Sequence, residues 1–201
     1  MMQELLPFVN SSVGGTVIEI GSRDGHDANA MSYLFGARRT VIIEANPECF
    51  WDIVRDYPYY EAYNVAITNE SGPVEFYAMH YENPAPALGQ SSLLYRELYD
   101  TLASKIVVPG YTMDHFTERA NINSIEAIKI DVEGATYQVL QGFTKIRMTR
   151  LLHIESEHKE VWPGQKLYAD TVDFMKDAGY EQVYFKHVFE SQSDTIWQRI
   201  D

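Results

Sequence analysis

Cysteine is nearly absent: Cys49 is the only one in 201 residues. A single thiol excludes an intrachain disulfide and a cysteine-built zinc cage. Basic residues are scarce too, with 16 Lys and Arg against 29 Asp and Glu and a formal charge of −13. Such a surface repels phosphate backbones, so no nucleic-acid partner is expected. No apolar run approaches the roughly 20 residues that cross a bilayer, so membrane insertion is not expected. The opening stretch MMQELLPFVNSSVGG has neither the basic start nor the apolar middle of a secretory signal. Together these absences predict a cytoplasmic chain. Internal repeats and linkers are missing as well, and the length suits one domain over 1–201.

What is present is alternation. TVIEI (16–20) reads as a buried strand, 26–36 as a helix with Ala30, Met31, Leu34 and Phe35 on one side, and TVIIE (40–44) as a second strand. Pro47 suits a first helical turn, and the helix runs to about Arg55. AYNVAIT (62–68) reads as a third strand, turned by NESG so that PVEFYAM (73–79) pairs back across it. Residues 80–110 look irregular, with the Pro- and Gly-rich HYENPAPALGQSS as a long loop. TMDHFTERAN (112–121) predicts a short helix, EAIKIDV (126–132) a strand, GATYQVLQGF (134–143) a helix closed by Gly142, and RLLHIES (150–156) a strand. A helix over 165–178 follows, and YEQVYFK with SDTIWQRI forms a closing antiparallel pair. The expected fold is α/β: a mostly parallel sheet with that antiparallel pair at its end and helices on both faces.

In such a sheet ligands bind beyond the carboxyl ends of the strands. The polar groups at those ends are Glu19 with the loop after it, Glu44, Asn64, Asp131 with Glu133, and His153 with Glu155. The loop GSRDG (21–25) lacks the G-x-G-x-x-G of a dinucleotide site. Gly21 allows a tight turn, Gly25 leaves room at a helix start, and Ser22, Arg23 and Asp24 between them are polar. Free N–H groups at a helix start suit an anionic group, here a carboxylate rather than a pyrophosphate. A plain strand-to-helix turn accounts for the glycines about as well. Glu44, some twenty residues on, can accept the two hydroxyls of a ribose, or it is an ordinary acid at a strand end.

Seven blocks in order make this chain similar to the FkbM family of S-adenosylmethionine-dependent methyltransferases. They are EIGSRDG, VIIEANPECF, NVAITNESGPVEFY, SSLL, VPGYTMDHF, IKIDVEGATYQVLQGF and LLHIESEH, spread over roughly 16–158. Family members often carry Ala-Asn between the first-loop glycines, where Ser22-Arg23-Asp24 stands here. The resemblance implies a Rossmann-like class I methyltransferase sheet and S-adenosylmethionine as cofactor. It implies that the first loop (Glu19, Gly21, Ser22, Arg23, Asp24, Gly25) takes the methionine part, Glu44 the ribose, and the segment Asn64, Val65 and Ala66 the border of the adenine. Ala45, Asn46 and Asp131 are further cofactor-binding candidates. A sugar, glycan or small-molecule hydroxyl is the expected acceptor.

An alcohol acceptor benefits from a general base. The candidates are Asp131, Glu133, His153 and Glu155. Asp131 and Glu133 can equally cap the helix that starts near Ala135. His153 and Glu155 are two apart on one strand and share a face; a histidine there is also compatible with a satisfied core position. Asp131, Glu133, Glu155 and His158 can offer an oxygen-rich site to a hard cation, but their spacing assigns none. Ser91 and Ser92 can touch cofactor or acceptor, or cap a helix. Tyr81, Tyr95 and His115 are candidates for the acceptor pocket, and ESEHKE (155–160) reads as a solvated loop. The rival readings are a nicotinamide-dependent oxidoreductase, weakened by the missing glycine fingerprint, and a non-catalytic nucleoside-binding module.

Overall fold

A computed structural model describes residues 3–9, 14–80, 89–97 and 99–200. Its main sheet holds β1 (Thr16–Ile20), β2 (Arg39–Ile43), β3 (Glu61–Tyr63), β7 (Ile125–Ile130), β8 (Thr149–Glu157), β9 (Tyr180–Phe189) and β10 (Gln192–Arg199), in the order β3-β2-β1-β7-β8-β10-β9. The first five are parallel. β10 is antiparallel to both neighbours, so the chain closes with the expected hairpin. Strand order reverses between β1 and β7, and this switch point is where the carboxyl ends leave a crevice.

The period of two along each strand sorts the core. Ile18, Ile20, Ile128, Ile130, Leu152 and Ile154 face one side, where they pack with Phe116, Val139, Leu140 and Phe143. Val17, Ala127, Leu151 and Ile196 face the other. There they meet Met31 and Phe35 of α1 (His26–Phe35) and Leu5 of a short 3-10 turn, Gln3–Phe8. Helix α2 (Pro47–Asp56) starts on Pro47 as expected, with the Asn46 side chain capping Glu48 N–H at 3.0 Å. The remaining helices are α3 (Tyr99–Leu102), α4 (Met113–Arg119), α5 (Thr136–Gln141) and α6 (Tyr168–Asp177).

Three expectations are corrected. AYNVAIT is two strands: β3 ends at Tyr63, and β4 (Ala66–Ile67) joins a second sheet of order β4-β6-β5. The break has a cause: Asn64 turns its amide onto the carbonyls of Glu44 and Ala45 at 2.8 and 3.0 Å, which pulls the chain out of the first sheet. PVEFYAM, within β5 (Gly72–Met79), pairs with β6 (Ala103–Tyr111) and not back onto AYNVAIT. The stretch 80–110 therefore ends in a regular strand, because β6 is the central member of that second sheet.

Candidate active site

The loop after β1 is held open from within. Gly21 and Gly25 are left-handed, at φ 79° and 76°. A Cβ on Gly21 would lie 1.8 Å from the Asp131 carbonyl oxygen, and one on Gly25 would lie 2.7 Å from the Tyr57 ring. Arg23 is also left-handed, and its N–H donates to Glu44 Oε2 at 2.7 Å. Ser22 donates to Glu19 Oε2 at 2.6 Å and accepts from Gly25 N–H. Ala28 N–H donates to the same Glu19 oxygen at 2.9 Å. Glu19 is thus the buried post around which the loop winds. Burial pushes its carboxyl up to about 8 against the pull of Lys129. The His26 N–H is taken by Asp24.

Beside this loop lies a slot walled by Ile20, Ile43, Ala45, Cys49, Val65, Ala66, Ile67, Phe76 and Leu93. Its polar edge carries Gly21, Arg23, Glu44, Ser91, Asp131 and Glu133. Glu44 is buried, which raises its pKa, while N–H groups of Arg23 and Asn46 stabilise the charge. Each of these donors takes one oxygen, so each oxygen keeps a lone pair for a ligand hydroxyl. Burial pushes the Cys49 thiol up to about 12, which leaves it a neutral wall.

The polar groups around the crevice fall into two rows, and strand register explains why. Glu19, Lys129 and His153 are direct neighbours on β1, β7 and β8, on one face of the sheet. Two positions on, over the crevice, come Gly21, Asp131 and Glu155. Asp131, Glu133 and Glu155 each bring a carboxylate oxygen within 4.8 Å of the others. Like charges this close cannot all ionise. Burial pushes Glu133 up to about 8, helped by Asp131 and Glu157. Burial drives Glu155 well above the carboxylate range, with Asp131 and Glu133 adding to the rise. Asp194, opposite Glu155 on β10, rises to about 6 for the same first reason. Lys129 counters them, with Nζ 2.6 Å from Asp27 Oδ2 and 3.0 Å from Asp131 Oδ2.

A family model for the methyltransferase FkbM domain matches residues 19–181. The chain belongs to the FkbM methyltransferase family. It is a methyltransferase that uses S-adenosylmethionine. Solved structures share the fold at low identity. One is M. capricolum TrmK in complex with its cofactor product S-adenosyl-homocysteine, with a TM-score of 0.55 and 9% identity over 98% of this chain and 67% of that one. Another is Aeropyrum pernix fibrillarin with natively bound S-adenosyl-L-methionine, with a TM-score of 0.53 and 14% identity over 92% and 66%. No curated protein matches the chain.

For an FkbM methyltransferase the cofactor's chemistry suits this donor set: an apolar slot for a flat base, a buried carboxylate for hydroxyls, and acids for a positive sulfur. Not every candidate from the sequence reaches the crevice. The Asn46 amide is spent on Met79 O and Ser91 Oγ, and that of Asn64 on the 44–45 turn. His153 sits one row back, 3% exposed, with Nε2 3.7 Å from Glu4 and no hydrogen bond to either ring nitrogen among the described residues. Burial lowers its pKa to about 4, with Lys129 assisting, so it is neutral. The Asp131 side chain does not cap α5, whose N-cap Ala135 has no side-chain hydrogen bond. His158 is outside the carboxylate group; it bonds Ser193 and stacks among Tyr168, Phe185 and His187. Ser92 Oγ donates to Glu133 O at 2.6 Å and accepts from Leu94 N–H, so the 89–94 segment clamps the acidic loop. Tyr95 donates to Asp100, and His115 bonds Ser71 in a groove of the second sheet. Tyr81 lies outside the described residues. Lys129 and Asp27 were missed, although a lysine inside an apolar strand is itself a signal of a buried partner.

Proposed function

We propose that this chain, as a single catalytic domain, methylates a hydroxyl of a glycan or small molecule. The observation that carries the reading is the convergence of Asp131, Glu133 and Glu155 within 4.8 Å at the crevice edge, beside Gly21. When bound, the cofactor supplies an electrophilic methyl group on a positively charged sulfur. Cys49, Val65, Ala66 and Phe76 would flank its adenine, Glu44 would accept from its ribose hydroxyls, and Gly21 with Asp131 would border its methionine end. The carboxylate cluster would orient an acceptor hydroxyl and take its proton.

Within the cluster the roles divide by environment. Asp131, paired with Lys129, is the base of first choice. Glu133 and Glu155, whose carboxyls burial pushes upward, donate hydrogen bonds to other acceptor oxygens. The net charge of −13 makes an RNA acceptor a poor fit, and no described helix is long and apolar enough to cross a membrane. The test is methyl-labelled cofactor offered with glycans, alcohols, amines and RNA in separate arms. Label on a hydroxyl oxygen, slowed about 10²–10⁴-fold by Asp131→Asn, is expected. Label on RNA or nitrogen alone would overturn the reading.

A further inference from the structure

Lys129 occupies an unusual position. It lies in β7 between Ile128 and Ile130, in a strand whose other residues are buried and, apart from Glu126, apolar. Its side chain is only 12% exposed. An ammonium so placed needs partners, and it has two from different parts of the chain. Asp27, 2.6 Å away, stands in the first turn of α1, directly after the cofactor loop. Asp131, 3.0 Å away, stands at the crevice. We infer that Lys129 is the positioning residue of this site: it bridges the start of α1 to Asp131 and so fixes both the aim and the charge of the Asp131 carboxylate. This rests on the proposed role of Asp131.

The bond engages Asp131 Oδ2 and leaves the second oxygen of that carboxylate for the crevice. Charge follows geometry. Around Asp131 stand Glu19 of β1, Arg23 of the first loop, Asp27 of α1, Glu44 after β2, Glu133, His153, Glu155 and Glu157 of β8, and Asp194 of β10. Most are acids, and His153 is neutral. Burial pulls the ammonium of Lys129 down, but Asp131, Glu19 and Asp27 outweigh that and hold it charged. Without it the carboxylates gathered around Asp131 would repel one another with no counter-charge among them.

The experiment reads Asp131 directly and requires no acceptor. Aspartate is labelled with ¹³C at the carboxyl, the enzyme is saturated with S-adenosylhomocysteine, and the Asp131 signal is assigned by its loss in Asp131→Asn. In Lys129→Met the titration midpoint of that signal should rise by about one pH unit or more relative to the wild type, and in Lys129→Arg it should stay near the wild-type position. An unchanged midpoint in folded Lys129→Met overturns the inference. Should Lys129→Met not fold, Asp27→Asn/Lys129→Met removes one charge of each sign and decides instead: a raised midpoint supports the bridge and an unchanged one refutes it. Turnover of Asp131→Asn separately tests the base assignment. Normal turnover there would remove that assignment while the titration still decides the Lys129–Asp131 link.

Discussion

Replacing Gly21 with alanine should be among the most damaging single-methyl changes in the chain. The added Cβ would sit 1.8 Å from the Asp131 carbonyl oxygen, whereas a close C···O contact needs about 3.3 Å. The β1 loop and the end of β7 must therefore part by about 1.5 Å. That separation strains two backbone bonds: Gly21 N–H to Ile43 O and Asp131 N–H to Ile20 O, both 3.0 Å. Losing the net benefit of one such bond costs about 0.5–1.5 kcal/mol, and more if the freed group stays dry. Left-handed strain at φ 79° adds about 1–2 kcal/mol. The total is about 2–5 kcal/mol. Gly36→Ala is the control: its φ is 56°, but nothing lies within 4 Å of the added carbon, so it should cost only the strain, about 1–2 kcal/mol. Urea unfolding of both variants measures the difference from the shift in midpoint and its slope. If Gly21→Ala falls within about 1 kcal/mol of Gly36→Ala, the overlap argument is wrong and the loop is softer than its contacts imply.

Glu44→Ala should weaken S-adenosylhomocysteine binding by about 1.5–3 kcal/mol in calorimetry, the worth of hydrogen bonds to a charged group; unchanged affinity would mean that Glu44 only ties Arg23 to Asn46. His153→Gln should leave turnover intact but change the acid response of stability. Its folded pKa of about 4 lies below the ordinary 6.5, so the unfolded chain binds the proton first. Wild-type stability therefore falls as pH drops from 6.5 to 4, by about 3 kcal/mol from this group. The variant should lack that component in urea unfolding at pH 7 and 5, and parallel losses would refute it. Glu155→Gln reverses the direction. A carboxyl whose folded pKa is raised contributes stability that is lost as pH climbs, so the variant should gain on the wild type between pH 6 and 9.

Much of the main sheet is legible from residue order because its strands are short, apolar and β-branched, and each is closed by a polar residue. The second sheet is not. Its β6 strand carries Pro109 and Gly110, which read as a break, yet Pro109 sits opposite Pro73 and Gly110 opposite Gly72, so the two irregular strands fit each other. Neither shows this alone. In the site, Glu19, Glu44 and Asp131 are visible as acids at strand ends. What stays hidden is which polar group spends itself on the scaffold: Asn46, Asn64 and Ser22 look like ligand contacts in sequence and are consumed by loop carbonyls, Met79 and Glu19. Pattern can place a residue at an edge; only the register of β1, β7 and β8 separates Asp131 and Glu155 from His153 one row behind.

The apolar slot has no local owner. Its walls come from residues near 20, 43–49, 65–67, 76, 89–93 and 131–133, on two separate sheets. No hairpin or helix–strand unit contains enough of it to form the slot alone. The slot is complete only when the two sheets are docked. With that docking after the folding barrier, a ligand that recognises the slot would have little to grip in the transition state. Cofactor should leave the refolding rate nearly constant and express its stabilisation as slower unfolding. Cofactor supply would then be a matter of lifetime for this chain, with the occupied enzyme opening more slowly than the empty one.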